Sequence, residues 1–303
     1  MAGRLMGVRI ALLGGDGREI ELLRGLAAEG ATVTAVSYPQ ESLPPGDAEA
    51  VSDPLDGVEG VDVVIAPMSN TDQDGWIKSY PLPGARICLN DELCSRLAPG
   101  TPLLIGMAKP IVKELACRYQ LRLVETAEDD EIAILNSIPT AEGAVQLAME
   151  RLPVTIHGST CVVVGFGRCG VTLGRLLAAM GAEVVIVARN PVQLARAREM
   201  CLESRNLTEL SEVATKAQVV FNTVPHLVIT EKVLAVLPKG ALVIDLASHP
   251  GGTDFAAAQH LGIEAELALG LPGKVAPLSA GRILAETYPD LILRLLGDKT
   301  GER

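Results

Sequence analysis

The run Gly165-Phe166-Gly167-Arg168-Cys169-Gly170 has the spacing G-x-G-x-x-G. It follows the β-branched run Thr160–Val164, opens the helical pattern Arg168–Met180 and is followed by a second strand-like run, Glu183–Val187. In that context the spacing predicts a dinucleotide site. Gly165 permits the tight turn, Gly167 lets backbone approach a pyrophosphate, and Gly170 allows close helix–strand packing. The helix N-terminus then offers free N–H groups and a positive dipole end to the anion. About 20 residues beyond such a loop an NAD enzyme usually places an acid on the ribose. Here the strand ends Val187-Ala188-Arg189-Asn190, with no acid. A cation at Arg189 and a donor at Asn190 suit a 2′-phosphate, so the expected cofactor is NADP(H) rather than NAD(H). Arg168 adds positive charge beside the turn, or is simply an exposed residue of the first helical turn.

Open α/β sheets bind ligands at the carboxyl ends of their strands. The loops expected there are Thr223-Val224-Pro225-His226, Ala247-Ser248-His249 with Pro250-Gly251-Gly252, and Leu269–Gly273. Thr223, Val224, Pro225, Ala247 and Ser248 are therefore candidate cofactor contacts. His226 and His249 are imidazoles on that edge, and an imidazole titrates near neutral pH. His249 is the candidate catalytic base, with a carboxylate contact or a bystander role as the alternatives. His157, before a strand, reads as a structural turn residue, and His260 as solvated. Ser137-Ile138-Pro139-Thr140 reads as a helix start, with Glu142 in the first turn. Asn136, Ser137 and Thr140 are candidate substrate contacts there, or simply caps. Ser69, with Thr71, is a weaker candidate from the opposite wall. The acidic run Asp129-Asp130-Glu131 reads as a solvated loop. No Cys/His cluster has metal-ligand spacing, so no metal is expected.

Short apolar runs alternate with helical patterns along the whole chain. Val8–Leu13, Thr32–Val36, Val61–Ala66, Leu103–Ile105 and Leu121–Val124 read as strands in the first half. Thr160–Val164, Glu183–Val187, Val219–Asn222, Ala241–Asp245 and Ile263–Leu267 read as strands in the second. Helical segments such as Glu19–Glu29, Pro110–Tyr119 and Pro191–Cys201 lie between them. The fold class is α/β: two doubly wound parallel sheets, Rossmann-like, joined by a long hinge helix, with C-terminal helices packing back. The expected boundaries are an N-terminal substrate or partner domain over 1–139, the hinge helix over 140–152, the dinucleotide domain over 153–278, and C-terminal helices over 279–303 broken at Pro289.

The halves also repeat. Leu26–Ala31 matches Leu177–Ala182 at an offset of 151, and the same offset lays Ala11–Gly14 on Val162–Gly165. At that register the first half has Gly14-Gly15-Asp16-Gly17-Arg18-Glu19. Asp16 stands in the place of the second glycine and Glu19 in the place of the third. A carboxylate would meet the pyrophosphate there, so the first half is the poorer dinucleotide site.

Composition narrows the partners. The 303 residues are 48% apolar and carry a net charge of −11, enough for real cores and too acidic to favour a phosphate backbone. Aromatics, at 3%, are too few for base-stacking platforms. Nucleic acid is therefore not an expected partner. The apolar run Ile10–Leu13 stops after four residues at Gly14, too short for a signal peptide core, and no run approaches a membrane span. The six cysteines read as small buried hydrophobes in a reducing compartment, and the chain as a cytoplasmic, oligomeric protein.

Several of these motifs occur together in one known family. Asn136–Thr140, His157-Gly158-Ser159, Gly165–Gly170 with Ala188-Arg189, and Asp245–Ser248 with Pro250–Phe255 resemble the A-subunit family of bacterial dipicolinate synthases. Gly270–Gly273 with Val275-Ala276-Pro277, Gly14-Gly15-Asp16 and the Pro67/Ser69 loop extend the resemblance over nearly the whole chain. The resemblance implies work in the mother cell of a sporulating bacterium beside a flavoprotein B subunit, which would carry the FMN. It implies dehydrogenation of dihydrodipicolinate, or its hydroxytetrahydro precursor from the lysine pathway, to pyridine-2,6-dicarboxylate. One departure is His249, where the family carries Arg; a basic group is kept but the guanidinium fork is not. Two other readings remain open: a 2-hydroxyacid-type dehydrogenase, whose Arg/Glu/His set is not recognisable here, and a non-catalytic NADP(H)-binding subunit that regulates a flavoprotein.

Overall fold

The computed structural model describes residues 3–43, 48–79, 82 and 84–297. The chain divides into two compact units, Met1–Leu135 with Ala276–Arg303, and Asn136–Val275.

The first unit contains β1 (Arg9–Leu13), β2 (Thr32–Val36), β3 (Ala48–Val51), β4 (Val63–Ile65), β5 (Trp76–Lys78), β6 (Arg86–Cys88), β7 (Pro102–Ile105) and β8 (Arg122–Glu125). Six of these form a parallel sheet in the order β3-β2-β1-β4-β7-β8, and β5 and β6 form a separate antiparallel pair. The second unit contains β9 (Thr160–Val164), β10 (Glu183–Ala188), β11 (Glu203–Asn206), β12 (Val219–Asn222), β13 (Leu242–Asp245) and β14 (Glu264–Leu267). They form a second parallel sheet in the order β11-β10-β9-β12-β13-β14. Both sheets are doubly wound, as expected. Their central strands are apolar on both faces because helices cover both, and Cys161 to Val164 of β9 are wholly buried.

The offset of 151 is structural. It carries β1 onto β9 and the helix Gly17–Ala28 onto Arg168–Ala179, residue for residue, and β2 onto the first five residues of β10. Each is one strand–turn–helix–strand unit at the centre of its sheet.

Four expectations are corrected. The helix expected over 140–152 runs Asp130–Arg151, with Pro139 inside it. Its cap is Asp129, whose carboxylate accepts the N–H groups of Glu131 and Ile132 at 3.0 and 3.2 Å. The acidic run is thus a helix start, where negative charge meets the positive dipole end, and not a loop. Ile132 anchors this extra length in the first unit's core, while Ala141, Ala144, Val145 and Ala148 lie in the core of the second.

The C-terminal segment, expected as two stretches broken at Pro289, is one helix, Pro277–Gly297. Residues 298–303 of the expected segment lie outside the described residues. This helix packs along Gly17–Ala28 within the first unit and does not form a layer of its own. Leu284, Tyr288, Leu291, Ile292 and Leu295 complete the first unit's core. The cysteines are not uniformly buried: Cys94 and Cys161 are, Cys88 and Cys169 are half-buried, and Cys117 and Cys201 are exposed.

Candidate functional site

In the second unit the turn after β9 leaves the sheet at Gly165, whose φ is +90°. Gly165 N–H donates to the Val187 carbonyl at 2.8 Å, so the turn starts beside the end of β10. Any side chain on Gly165 would collide with the Thr223 hydroxyl, and one on Gly170 with the Gly165 carbonyl. Gly165, Gly170, Thr223 and Val224 therefore close around one another. Thr223 is fixed there by its N–H and its hydroxyl, each bonded to the Val164 carbonyl at 2.9 Å. Gly167 is the contrast within the loop. It is exposed, nothing stands within 4 Å of where its side chain would be, and it caps Arg168–Ala179 with no side-chain hydrogen bond.

That helix end is a row of N–H groups with a positive dipole, and the helix has no acidic residue in its first turn. The loop fits a pyrophosphate in shape as well as charge. Phe166 turns inward and joins the core. Burial pushes the Cys169 thiol up to about 11.

Arg189 and Asn190 follow at the end of β10, both exposed. Arg189 forms no ion pair among the described residues. The Asn190 side-chain oxygen accepts the Val192 N–H at 2.9 Å and caps the helix Pro191–Glu199, which leaves its amide N–H groups for another partner. Pro225, Ser248 and His249 are exposed on the loops after β12 and β13, and Ala247 is buried beneath them.

A residue that sequence reading placed at a strand end, without a role, organises these loops. Asp245, wholly buried at the end of β13, accepts the Asn222 amide and the Ala247 N–H at 3.0 Å each. It also accepts the Gly252 N–H at 2.8 Å and the Thr253 hydroxyl at 2.6 Å. The signal for it was in the sequence: an acid ending an otherwise apolar strand, seven residues before Gly252-Thr253.

The candidate substrate contacts are placed differently from expectation. Asn136, Ser137 and Thr140 lie well inside Asp130–Arg151, not at a helix start. Thr140 bonds back to the Asn136 carbonyl at 2.8 Å, and the Ser137 hydroxyl meets that of Thr172 at 2.6 Å. At mid-helix they do not share the positive dipole end of a helix N-terminus. Ser69 is exposed on the loop after β4, while the buried Thr71 hydroxyl has no hydrogen-bond partner among the described residues. His157 packs its ring against the Gly181 turn and its Nδ1 lies 3.3 Å from the Met180 carbonyl. Among the described residues no group of His, Cys, Asp and Glu could hold a metal ion, and no helix is long and apolar enough to cross a membrane.

The sister loop of the first unit is filled by its own side chains. Asp16 caps Gly17–Ala28, and Glu19 completes a reciprocal capping box by accepting the Asp16 N–H at 2.7 Å. The other Glu19 oxygen accepts the Met68 N–H at 3.0 Å. Arg18, itself buried, grips the Asp16 carboxylate with two bonds of 2.9 and 2.8 Å. Burial pushes Glu19 up to about 7, against the pull of Arg18. Asp16 is held below the ordinary carboxylate range: burial opposes this, and the bonds and charge of Arg18 outweigh it.

Comparison with known proteins agrees with this division. Residues 9–127 match the family described as the N-terminal domain of the dipicolinate synthase A-subunit. Residues 138–249 match the NAD-binding domain of D-isomer-specific 2-hydroxyacid dehydrogenases. The chain is 37% identical over 297 residues to the dipicolinate synthase A-subunit of Bacillus subtilis, covering 97% of this chain and 99% of that one. Its fold superposes on the crystal structure of the dipicolinate synthase A-subunit from Bacillus halodurans with a TM-score of 0.91 at 36% identity, over 96% and 99% of the two chains. For the Bacillus subtilis crystal structure the TM-score is 0.89 at 35% identity, over 98% and 99%. The second unit is thus a nicotinamide-nucleotide domain, and the protein is an oxidoreductase that belongs to the dipicolinate synthase A-subunit family.

Proposed function

We propose that this chain dehydrogenates dihydrodipicolinate, or its hydroxytetrahydro precursor after loss of water, to dipicolinate with NADP⁺, beside a flavoprotein B subunit. The observation that carries the reading is the bare helix N-terminus behind Gly165–Gly170, in a chain whose relatives are named as A-subunits of dipicolinate synthase. A nicotinamide nucleotide, when bound, supplies the hydride acceptor. The N–H groups from Gly167 onward hold its pyrophosphate, with Arg168 adding charge. Arg189 and the Asn190 amide read a 2′-phosphate, which favours NADP over NAD. Thr223, Val224, Pro225, Ala247 and Ser248 line the nicotinamide end. The ring carbon of the dihydropyridine loses a hydride and the ring loses a proton, and the product gains aromatic resonance.

His249 is the chain's proton acceptor on this edge, or a contact for one substrate carboxylate. Asn136 remains the substrate contact of this helix, since the hydroxyls of Ser137 and Thr140 are taken up by Thr172 and the Asn136 carbonyl; Ser69 is a separate candidate contact in the first unit. FMN belongs to the partner subunit, the assembly is oligomeric, and the setting is the cytoplasm of the mother cell in sporulation.

The test is a spectrophotometric assay with freshly generated precursor and NADP⁺, with and without the flavoprotein partner. The expected outcome is NADPH formation matched by pyridine-2,6-dicarboxylate. If product forms while NADP⁺ stays unreduced and dispensable, the chemistry lies in the partner and this chain is a nucleotide-binding subunit.

A further inference from the structure

The residues assigned to the nicotinamide end sit on two irregular loops, Thr223–Val228 and Leu246–Thr253. Neither loop carries a regular ladder, yet they are zipped together. Val228 and Ile229 both donate N–H to the Gly252 carbonyl at 2.9 Å, and Asp254 N–H returns to the Ile229 carbonyl at 2.9 Å. A side chain on Gly252 would collide with the carbonyls of both Val224 and His226, so the loops touch backbone to backbone. Asn222 braces the first loop from within: its amide donates to the Val224 carbonyl and its oxygen accepts the Val224 N–H, each at 3.0 Å.

Both loops converge on Asp245. One of its oxygens accepts the Asn222 amide and the Ala247 N–H, and the other accepts the Gly252 N–H and the Thr253 hydroxyl. Two of these four donors are backbone N–H groups, which cannot reverse their polarity, and the Asn222 amide is committed on both sides. Only a carboxylate meets them all. An amide of the same size would turn an NH₂ group toward another donor in either orientation, leaving buried polar groups unpaired.

We infer that Asp245 is a positioning residue for the nicotinamide end of the site: its buried carboxylate sets the two loops that carry Thr223, Val224, Ala247, Ser248 and His249, and it touches neither cofactor nor substrate. The inference rests on the reading of this unit as the nucleotide site. The pyrophosphate turn and Arg189 contribute no bond to the Asp245 carboxylate. Thr223, the residue of these loops that packs on Gly165 and Gly170, is held by its two bonds to the Val164 carbonyl and not by Asp245. Loss of Asp245 therefore acts mainly on the nicotinamide end of the nucleotide.

That split is measurable in the full chain. ADP-ribose, with or without a 2′-phosphate according to the wild type's preference, probes the adenosine and pyrophosphate half. The matching reduced nucleotide, NADPH or NADH, probes the nicotinamide through its own fluorescence. Asp245→Asn is expected to bind the ADP-ribose probe within about twofold of the wild type. It is expected to lose at least about tenfold in affinity for the reduced nucleotide, with most of the fluorescence enhancement. Thr253→Val, which removes a single donor, is expected to show a smaller loss with the same split, and Thr253→Ser to restore the wild-type signal. Equal weakening of both probes, or no weakening of either, overturns the assignment. If Asp245→Asn does not fold, the Thr253 pair decides by the same split. A wild-type chain that binds neither probe removes the nucleotide reading itself, and the assignment with it.

Discussion

Asp16 and Gly167 stand at equivalent places in two copies of one strand–turn–helix unit, and the helices behind them begin in opposite ways. In the first copy the chain's own carboxylates meet the helix N-terminus: Asp16 caps it, Glu19 closes the box, and Arg18 neutralises Asp16. In the second, glycine removes the cap, and no neighbouring atom fills the space its side chain would take. The helix dipole and the unsatisfied N–H groups are the same in both. What differs is whether the compensating anion is internal, which stabilises the fold, or must come from outside, which makes a binding site.

The comparison breaks most sharply at Gly167. Gly167→Asp gives the second loop the first loop's residue, in a place where the side chain meets no neighbour. Nucleotide affinity is expected to fall by about a thousandfold or more, some 4 kcal/mol, with the melting temperature little changed. Isothermal titration alongside thermal unfolding checks both. Normal binding by this variant would place the pyrophosphate elsewhere.

In the filled loop the favoured anion is Asp16, held low by Arg18, while burial disfavours the charged form of Glu19. Its carboxyl sits near 7 in the folded chain, above its ordinary 4.5. A raised carboxyl favours folding fully below the unfolded value, and that contribution is lost as pH rises through the folded one. That contribution is on the order of a few kcal/mol and is lost as pH rises from about 4.5 through about 7. Glu19→Gln is expected to flatten this slope in denaturant titrations across the window. An unchanged slope would show that Glu19 titrates as an ordinary carboxyl.

Arg189 sharpens the second loop's side of the contrast with a smaller effect. Arg189→Asp is expected to weaken NADP(H) by about ten- to a hundredfold, the loss of a charge-assisted contact of roughly 1.5–3 kcal/mol, and to leave NAD(H) similar or tighter. Equal affinity of the wild type for both nucleotides would remove the 2′-phosphate assignment.

Most of the central architecture was legible in the sequence because apolar strands and glycine turns announce themselves. One end of each sheet was not. β3 and β11 are edge strands, and Glu203-Ser204-Arg205-Asn206 has no apolar run at all. Polar and charged residues are what keep an exposed edge from pairing with another chain, so they hide the strand from a hydrophobic reading. Pro139 was read within a helix start from its hydroxyl neighbours and Glu142, and Pro289 as a helix break because proline removes a backbone bond. Both are instead buried in continuous helices, where packing outweighs one lost hydrogen bond. Within the site, the glycine loop was legible because its backbone demands are local. Asp245 was not, because its role depends on donors from two separate loops.

The return of Pro277–Gly297 to the first unit has a consequence for how the chain is made. The core of residues 1–135 lacks Leu284, Tyr288, Leu291, Ile292 and Leu295 until that helix arrives. All of the second unit leaves the ribosome before it does. Domains commonly fold in the order of their synthesis. Here the unit synthesised first closes its core last, after the nucleotide-binding unit is complete.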